Sequence, residues 1–191
     1  MAVSEKRREI LDAALQVIAE QGFHEAPIAL IAERAGVGAG TIYRYFATKD
    51  LLIAALFQEL HTQIGSMLAR GYPAEQPIGE RFLHLGKTLL GYFVANPREF
   101  RFLEQYLNSP YGIEFRRDRL LGQGKEGDLY RRLLEEGKAR QIVKDLPLVV
   151  LLALAIGPLL AVARDHIAGF LQLDEVLLEQ TVQACWEALK R

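Results

Sequence analysis

The sequence predicts an all-α protein, with a small N-terminal three-helix head on a larger helical body, about nine helices in all. Three observations lead there. Apolar residues recur three and four apart along most of the chain, as in Ile10, Leu11, Ala14, Leu15 and Ile18. No alternation of apolar and polar residues is sustained long enough for a strand. The helical runs stop at turn-forming clusters, notably residues 71–77 (GYPAEQP), Asn96-Pro97 and residues 108–112 (NSPYG).

The elements follow in order. A first helix is expected over residues 4–21, with Ser4 as its N-cap. A second begins at Pro27, where the missing N–H is harmless in a first turn. Ile28, Ile31, Ala32 and Ala35 repeat at helical spacing. Gly36 then stands where a left-handed residue ends a helix, and Val37 is expected as the buried hydrophobe of the turn. A third, short helix runs from Gly40 to Phe46. A fourth starts after Thr48, with Asp50 near the positive end of its dipole, and continues to about Ala69. The body supplies helices over residues 78–95, 98–107, 113–121, 125–140, 146–170 and 175–190. Asp145 and Asp174 are the expected N-caps of the last two.

Two short helices around a glycine turn make a helix-turn-helix, whose second helix lies in a DNA major groove. The wheel of that helix orients it. Ile42 and Phe46 are four apart and share the face that docks on the other helices. Arg44 projects almost opposite, where a guanidinium is able to pair bidentately with guanine O6 and N7. Gly40 and Thr41 lie near Arg44. Tyr43 and Tyr45 lie on the flanks, where phenol hydroxyls meet phosphates. A plain helical hairpin with two half-buried tyrosines is the structural alternative. Lys6, Arg7 and Arg8 are candidate phosphate anchors, as is Lys49.

The run GVGAGTIYRYFATKDLL, residues 36–52, resembles the signature of the TetR family, commonly GVSKGTLYRYFPSKEEL. The resemblance is specific over residues 5–57 and architectural beyond. It implies a dimeric bacterial transcriptional regulator, usually a repressor released from a palindromic operator by a small molecule. Residues 1–50 would be the DNA-binding domain, the helix over 48–70 a connector, and residues 51–191 an effector-binding and dimerisation domain. Gly38 and Ala39 replace the usual Ser and Lys, and Ala26-Pro27 replaces a common Thr or Ser. Up to three polar DNA contacts are therefore absent.

Totals constrain the alternatives. Half of the 191 residues are hydrophobic, enough for a sizeable core. The net charge is −1, and residues 1–50 carry six Lys/Arg against seven Asp/Glu, which argues weakly against nucleic acid. One cysteine, Cys185, and no secretory pattern suit a reducing cytoplasm. His24, His61, His84 and His166 lack metal-ligand spacing, so no metal or cofactor is expected. No nucleophile motif or phosphate-binding loop is present, so an enzyme is not expected.

The body offers two further readings. Residues 146–163 carry no charge over 18 positions, near the lower limit of a membrane span. Gly157-Pro158 interrupts them, and a helix buried by a second subunit is the reading adopted. Small residues Ala153, Ala155, Gly157 and Ala161, with Val176, Val182 and Trp186 of the last helix, are the expected homodimer interface. The resemblance implies an effector pocket as well. His84, Leu85, Thr88, Tyr92, Phe102, Leu103, Glu104, Tyr106 and Tyr130 are its candidate lining, suited to a largely apolar or aromatic ligand. The competing function is a dimeric small-molecule-binding protein with weak or no specific DNA binding; a membrane-associated protein rests on residues 146–163 alone.

Overall fold

The structure, a computed structural model, describes residues 2–121 and 128–191. Ten helices are found among the described residues: α1 (Ala2–Glu25), α2 (Ile28–Arg34), α3 (Ala39–Tyr45), α4 (Lys49–Ala69), α5 (Ile78–Ala95), α6 (Pro97–Leu107), α7 (Pro110–Leu121), α8 (Leu129–Ala139), α9 (Leu148–Ile167) and α10 (Glu175–Leu189). No strand occurs among the described residues. One antiparallel bridge joins Val143 and Lys190, tying the connection before α9 to the end of α10.

Most boundaries follow local chemistry. α1 breaks at Gly22, whose φ of 84° and ψ of 169° are not helical, one residue past its expected end. Ser4 lies inside α1 rather than capping it, because the helix starts at Ala2. Pro27 is the N-cap of α2 rather than its first residue; its carbonyl accepts from the Leu30 and Ile31 N–H groups. Gly36 (φ 63°) ends α2. Its N–H donates to the Glu33 carbonyl at 3.1 Å, and that of Val37 to Ala32 at 2.9 Å, closing a Schellman motif. Thr48 caps α4 by accepting from the Leu51 N–H at 3.2 Å.

Three body boundaries differ from expectation. α7 begins at Pro110, so the break before it is only Asn108-Ser109. Gly112 is buried there, and a side chain would strike the Tyr106 and Leu107 backbone. The expected start of α8 at Lys125, with Gly127, lies outside the described residues, and Asp128 caps the observed helix. Asp145 does not cap α9, whose N-cap is Pro147; its carboxylate pairs with Lys138 at 2.7 Å. Asp174 does cap α10, accepting from the Leu177 N–H at 2.8 Å.

The chain forms two compact units, Met1–Gln63 with Pro97–Arg116, and Ile64–Asn96 with Arg117–Arg191. These do not follow a division at residue 50: α6 packs along α1 and belongs with the first unit. That unit buries Ile10, Ile18, Ile31, Ile42, Ile53 and Phe102 almost completely. The Gln105 side-chain amide donates to the Ile18 carbonyl at 3.3 Å, and the Phe23 ring meets Phe102 and Tyr111 edge-on.

In the second unit α9 packs on α5, α8 and α10. Leu85, Ala155, Leu159, Ala163 and Val182 are fully buried. Gly86 lets α5 approach α10, since a methyl there would overlap Val182. Leu148–Ile167 is long and apolar enough to cross a bilayer by length and composition. One side of it is nevertheless occupied by this packing, and Pro158 inside it has no N–H to donate.

A buried-edge ion pair fastens α5 to α8. Arg81 donates both terminal nitrogens to the Glu136 carboxylate, at 3.1 and 2.8 Å, and its Nε to the Tyr72 hydroxyl at 2.9 Å. The bond from Arg81 holds Glu136 below the usual carboxylate value of 4.5. A depressed carboxylate stabilises the fold fully above its unfolded value and loses that contribution as pH falls through the folded one. Glu136→Gln is therefore expected to lower the melting temperature at pH 7. The difference from the parent should shrink steadily below pH 4.5, as thermal unfolding at pH 7, 4.5 and 3 would record.

Candidate nucleic-acid interface

The reading helix is short and held from one side. α3 has seven residues, too few to persist alone, since isolated helices below about 12–15 residues are marginal. Ile42 is fully buried and Phe46, the residue ending α3, is 5% exposed. Burial of two such side chains contributes about 1.5–3 kcal/mol each. The opposite side is open, as the wheel predicts. Tyr43 is 51% exposed, Arg44 and Gly40 are exposed, and Thr41 and Tyr45 are half-buried. A side chain at Gly38 or Gly40 would meet nothing within 4 Å.

Arg44 makes no ion pair among the described residues. Its guanidinium lies over the Tyr45 ring, 5.5 Å from the centroid. The other candidate cations divide. Lys6 pairs with Glu9 at 2.5 Å, and that bond raises its pKa. Arg7 pairs with Glu59 of α4 at 3.1 Å and lies over the Phe46 ring at 5.5 Å, so it braces the end of α3. Arg8 is exposed and makes no ion pair among the described residues.

Lys49, expected as a phosphate contact, is engaged within the head. Its ammonium is half-buried and donates to the Phe23 carbonyl at 2.5 Å, joining the start of α4 to the end of α1. Burial lowers its pKa. The sequence reading also missed the partners of this corner. The Tyr111 hydroxyl donates to Asp50 in the first turn of α4, a bond that pushes the phenol up to about 12. Arg34 reaches Glu20 and Gln16 of α1. Arg7–Glu59 and Tyr111–Asp50 join residues more than 50 positions apart, and no local signal announces such pairs.

The nine candidate effector residues are not brought together within one unit. Phe102, Leu103, Glu104 and Tyr106 lie on α6 in the first unit. There Phe102 and Leu103 are core, and Tyr106 stacks on Phe57 at 3.9 Å. Glu104 is half-buried on the same helix. In the second unit Leu85 is fully buried, and Tyr130 is buried edge-on to Phe82. His84, Thr88 and Tyr92 are half-buried. The His84 Nε2 is buried without a hydrogen-bond partner among the described residues, and its ring lies edge-on to Tyr72 at 6.1 Å.

The expected dimer residues divide too. Ala155 and Val182 are fully buried in the subunit's own core. Trp186 packs over Gly79 and beside Phe82, 5.5 Å between rings. Ala155 and Val182 are therefore core rather than interface, because α5 covers that side, while Trp186 is half-buried. Ala153, Gly157 and Ala161 are exposed four apart along α9, and Val176 is 63% exposed. Val149, Val150 and Phe170 are exposed as well.

Residues 10–56 match the family described as bacterial regulatory proteins, tetR family. Residues 77–190 match the tetracyclin repressor-like C-terminal domain. A solved structure of a putative transcriptional regulator, a TetR family protein from Vibrio parahaemolyticus, is 32% identical, with a TM-score of 0.76 over 97% of this chain and 99% of that one. The fatty acid metabolism regulator protein of Bacillus subtilis is 48% identical over 54 residues, 28% of either chain. The HTH-type transcriptional regulator BetI of Escherichia coli O127:H6 is 41% identical over 79 residues, 41% of this chain and 40% of that one. The chain thus spans well under half the length of these two curated relatives.

The reading face makes two contrasts measurable. Arg44→Ala is expected to cost about 1–3 kcal/mol of specific DNA binding and relax selection at one position per half-site, with melting unchanged. Arg8→Ala should weaken binding evenly across sequences and lower the salt slope by about one. Lys49→Ala should instead lower the melting temperature and leave that slope alone. Titration of labelled DNA across a salt series, with thermal unfolding alongside, separates the three.

Proposed function

Because the chain belongs to the TetR family of bacterial regulatory proteins, we propose that it is a ligand-responsive transcriptional regulator. It binds a palindromic operator as a homodimer and is released by a small molecule, acting as a repressor in the cytoplasm. The observation that carries this is α3: it is anchored by Ile42 and Phe46 and presents Tyr43, Arg44 and Thr41 outward.

The dimer reading rests on α9 and α10. Val149, Val150, Ala153, Gly157 and Ala161, with Val176, leave an apolar face that the subunit does not cover. Small residues four apart allow a second copy of α9 to approach closely. A two-fold pair of heads would then match a palindrome, with half-sites about one helical turn apart.

The effector reading rests on α5. His84, Thr88 and Tyr92 are half-buried four apart along α5, next to buried Leu85 and Leu89, and a largely apolar or aromatic ligand would suit them. Release requires the effector to bind the DNA-incompetent state more tightly. Operator must then weaken effector binding by the same factor. A match of 54 residues to a fatty acid regulator transfers no ligand.

A second reading, a small-molecule-binding dimer with weak or no specific DNA binding, is favoured by one observation. Lys6, Arg7 and Lys49 are engaged inside a head of net charge −1 over residues 1–50. Unbiased selection of bound DNA from a random pool distinguishes the two. Enrichment of a palindrome, with binding that weakens as salt rises, supports the regulator; no enriched sequence supports the second reading.

The dimer face generates its own test. Ala161→Glu would put an unpaired charge into the proposed contact and is expected to yield a folded monomer. Ala155→Glu should instead unfold the subunit, since Ala155 is core. Sedimentation and circular dichroism on both variants check this, and a dimeric Ala161→Glu chain would refute the interface.

A further inference from the structure

The contact between Arg44 and Tyr45 gives the second tyrosine of the reading helix a role of its own. The two are neighbours on α3, yet the guanidinium folds back over the ring, 5.5 Å from its centroid. Arg44 is exposed and pairs with no carboxylate among the described residues, while Tyr45 is half-buried. A half-buried aromatic side chain with two torsions is a stiffer support than a flexible partner.

A guanidinium has two recognition surfaces at right angles. Its planar face is drawn to the negative face of an aromatic ring. Its edge carries the N–H donors in a fixed fork. Stacking occupies the face and leaves the edge available. Guanine O6 and N7 are read by the edge alone.

Resting on the reading that α3 enters a major groove, we propose that Tyr45 is a positioning residue for base recognition. Its ring holds the Arg44 guanidinium so that the edge donors are presented to a guanine, and its ring face rather than its hydroxyl does this. A free arginine must be ordered when it meets the base, and that cost falls on affinity for the correct sequence. One resting over a ring is already restricted, so the ring sharpens preference for guanine over adenine at that position. By this assignment Tyr43, the exposed neighbour, remains the tyrosine whose hydroxyl meets the backbone.

The test uses the full chain and an operator obtained by selection. Affinity is measured for that operator and for the same DNA with the guanine facing Arg44 replaced by adenine in both half-sites. Tyr45→Phe keeps the ring face and is expected to keep the parent's guanine-to-adenine ratio. Tyr45→Leu removes the face and should reduce that ratio about two- to fivefold. Its melting temperature is recorded alongside, so that the ratio is read on folded protein. Pentafluorophenylalanine at position 45 keeps the ring's shape and reverses its quadrupole. It should reduce the ratio as Tyr45→Leu does, which covers the case in which the leucine variant folds poorly. Arg44→Lys should lose the ratio, because an ammonium has no planar fork.

The assignment is overturned if Tyr45→Leu and the fluorinated variant keep the parent's ratio. It is also overturned if Tyr45→Phe weakens binding evenly on every sequence, which would make the hydroxyl a phosphate contact. A parent that selects no sequence would instead defeat the α3 reading itself, and this assignment with it. Those failures are distinguishable, because the tyrosine variants are compared only on a site the parent has selected.

Discussion

The reading face depends on one constraint: α3 cannot exist by itself. Seven residues make too few internal hydrogen bonds to offset the ordering of the backbone, so the helix forms only as Ile42 and Phe46 are buried. That burial sets the rotation of the helix, and rotation decides which side chains face outward. Gly36 contributes from the other side. Its left-handed φ of 63° ends α2 abruptly enough for Val37 and Gly38 to lead into α3. A residue with a Cβ would be strained there by about 1–2 kcal/mol.

The charges of the head serve largely to assemble it. Arg34 binds Glu20, Arg7 binds Glu59 and rests on Phe46, and Lys49 holds the Phe23 carbonyl. The first two pairs are exposed and individually weak. Their value lies in direction, because each ties one helix of the head to another. It follows that a count of basic residues overstates what this head offers to phosphates. The proposed DNA binding leans correspondingly on shape and on the few outward side chains of α3.

In the second unit the corresponding device is close helix approach. Gly86 admits Val182, and Gly137 admits Val143 beside the short bridge to Lys190. α9 is thereby covered on one side and left apolar on the other, which is the arrangement that the proposed homodimer would complete.

What the sequence determined alone was local. The helix-turn-helix was legible because its signals lie within a dozen residues: the periodicity of Ile28 to Ala35, the terminating Gly36, and the four-residue spacing of Ile42 and Phe46. The fold class was legible for the same reason, and so was the Asp174 cap. Tertiary structure decided what depends on residues far apart in the chain. Small residues on α9 look alike in sequence, but only packing against α5 and α10 separates buried Ala155 from exposed Ala153 and Ala161. Phe102 and Tyr106 are buried in the first unit, where α6 lies along α1, a packing that their own spacing does not announce. Nothing near Lys49 in sequence announces that its ammonium meets the Phe23 carbonyl. A side chain's periodicity tells which face it shares with its neighbours. What covers that face is set by contacts that sequence spacing does not encode.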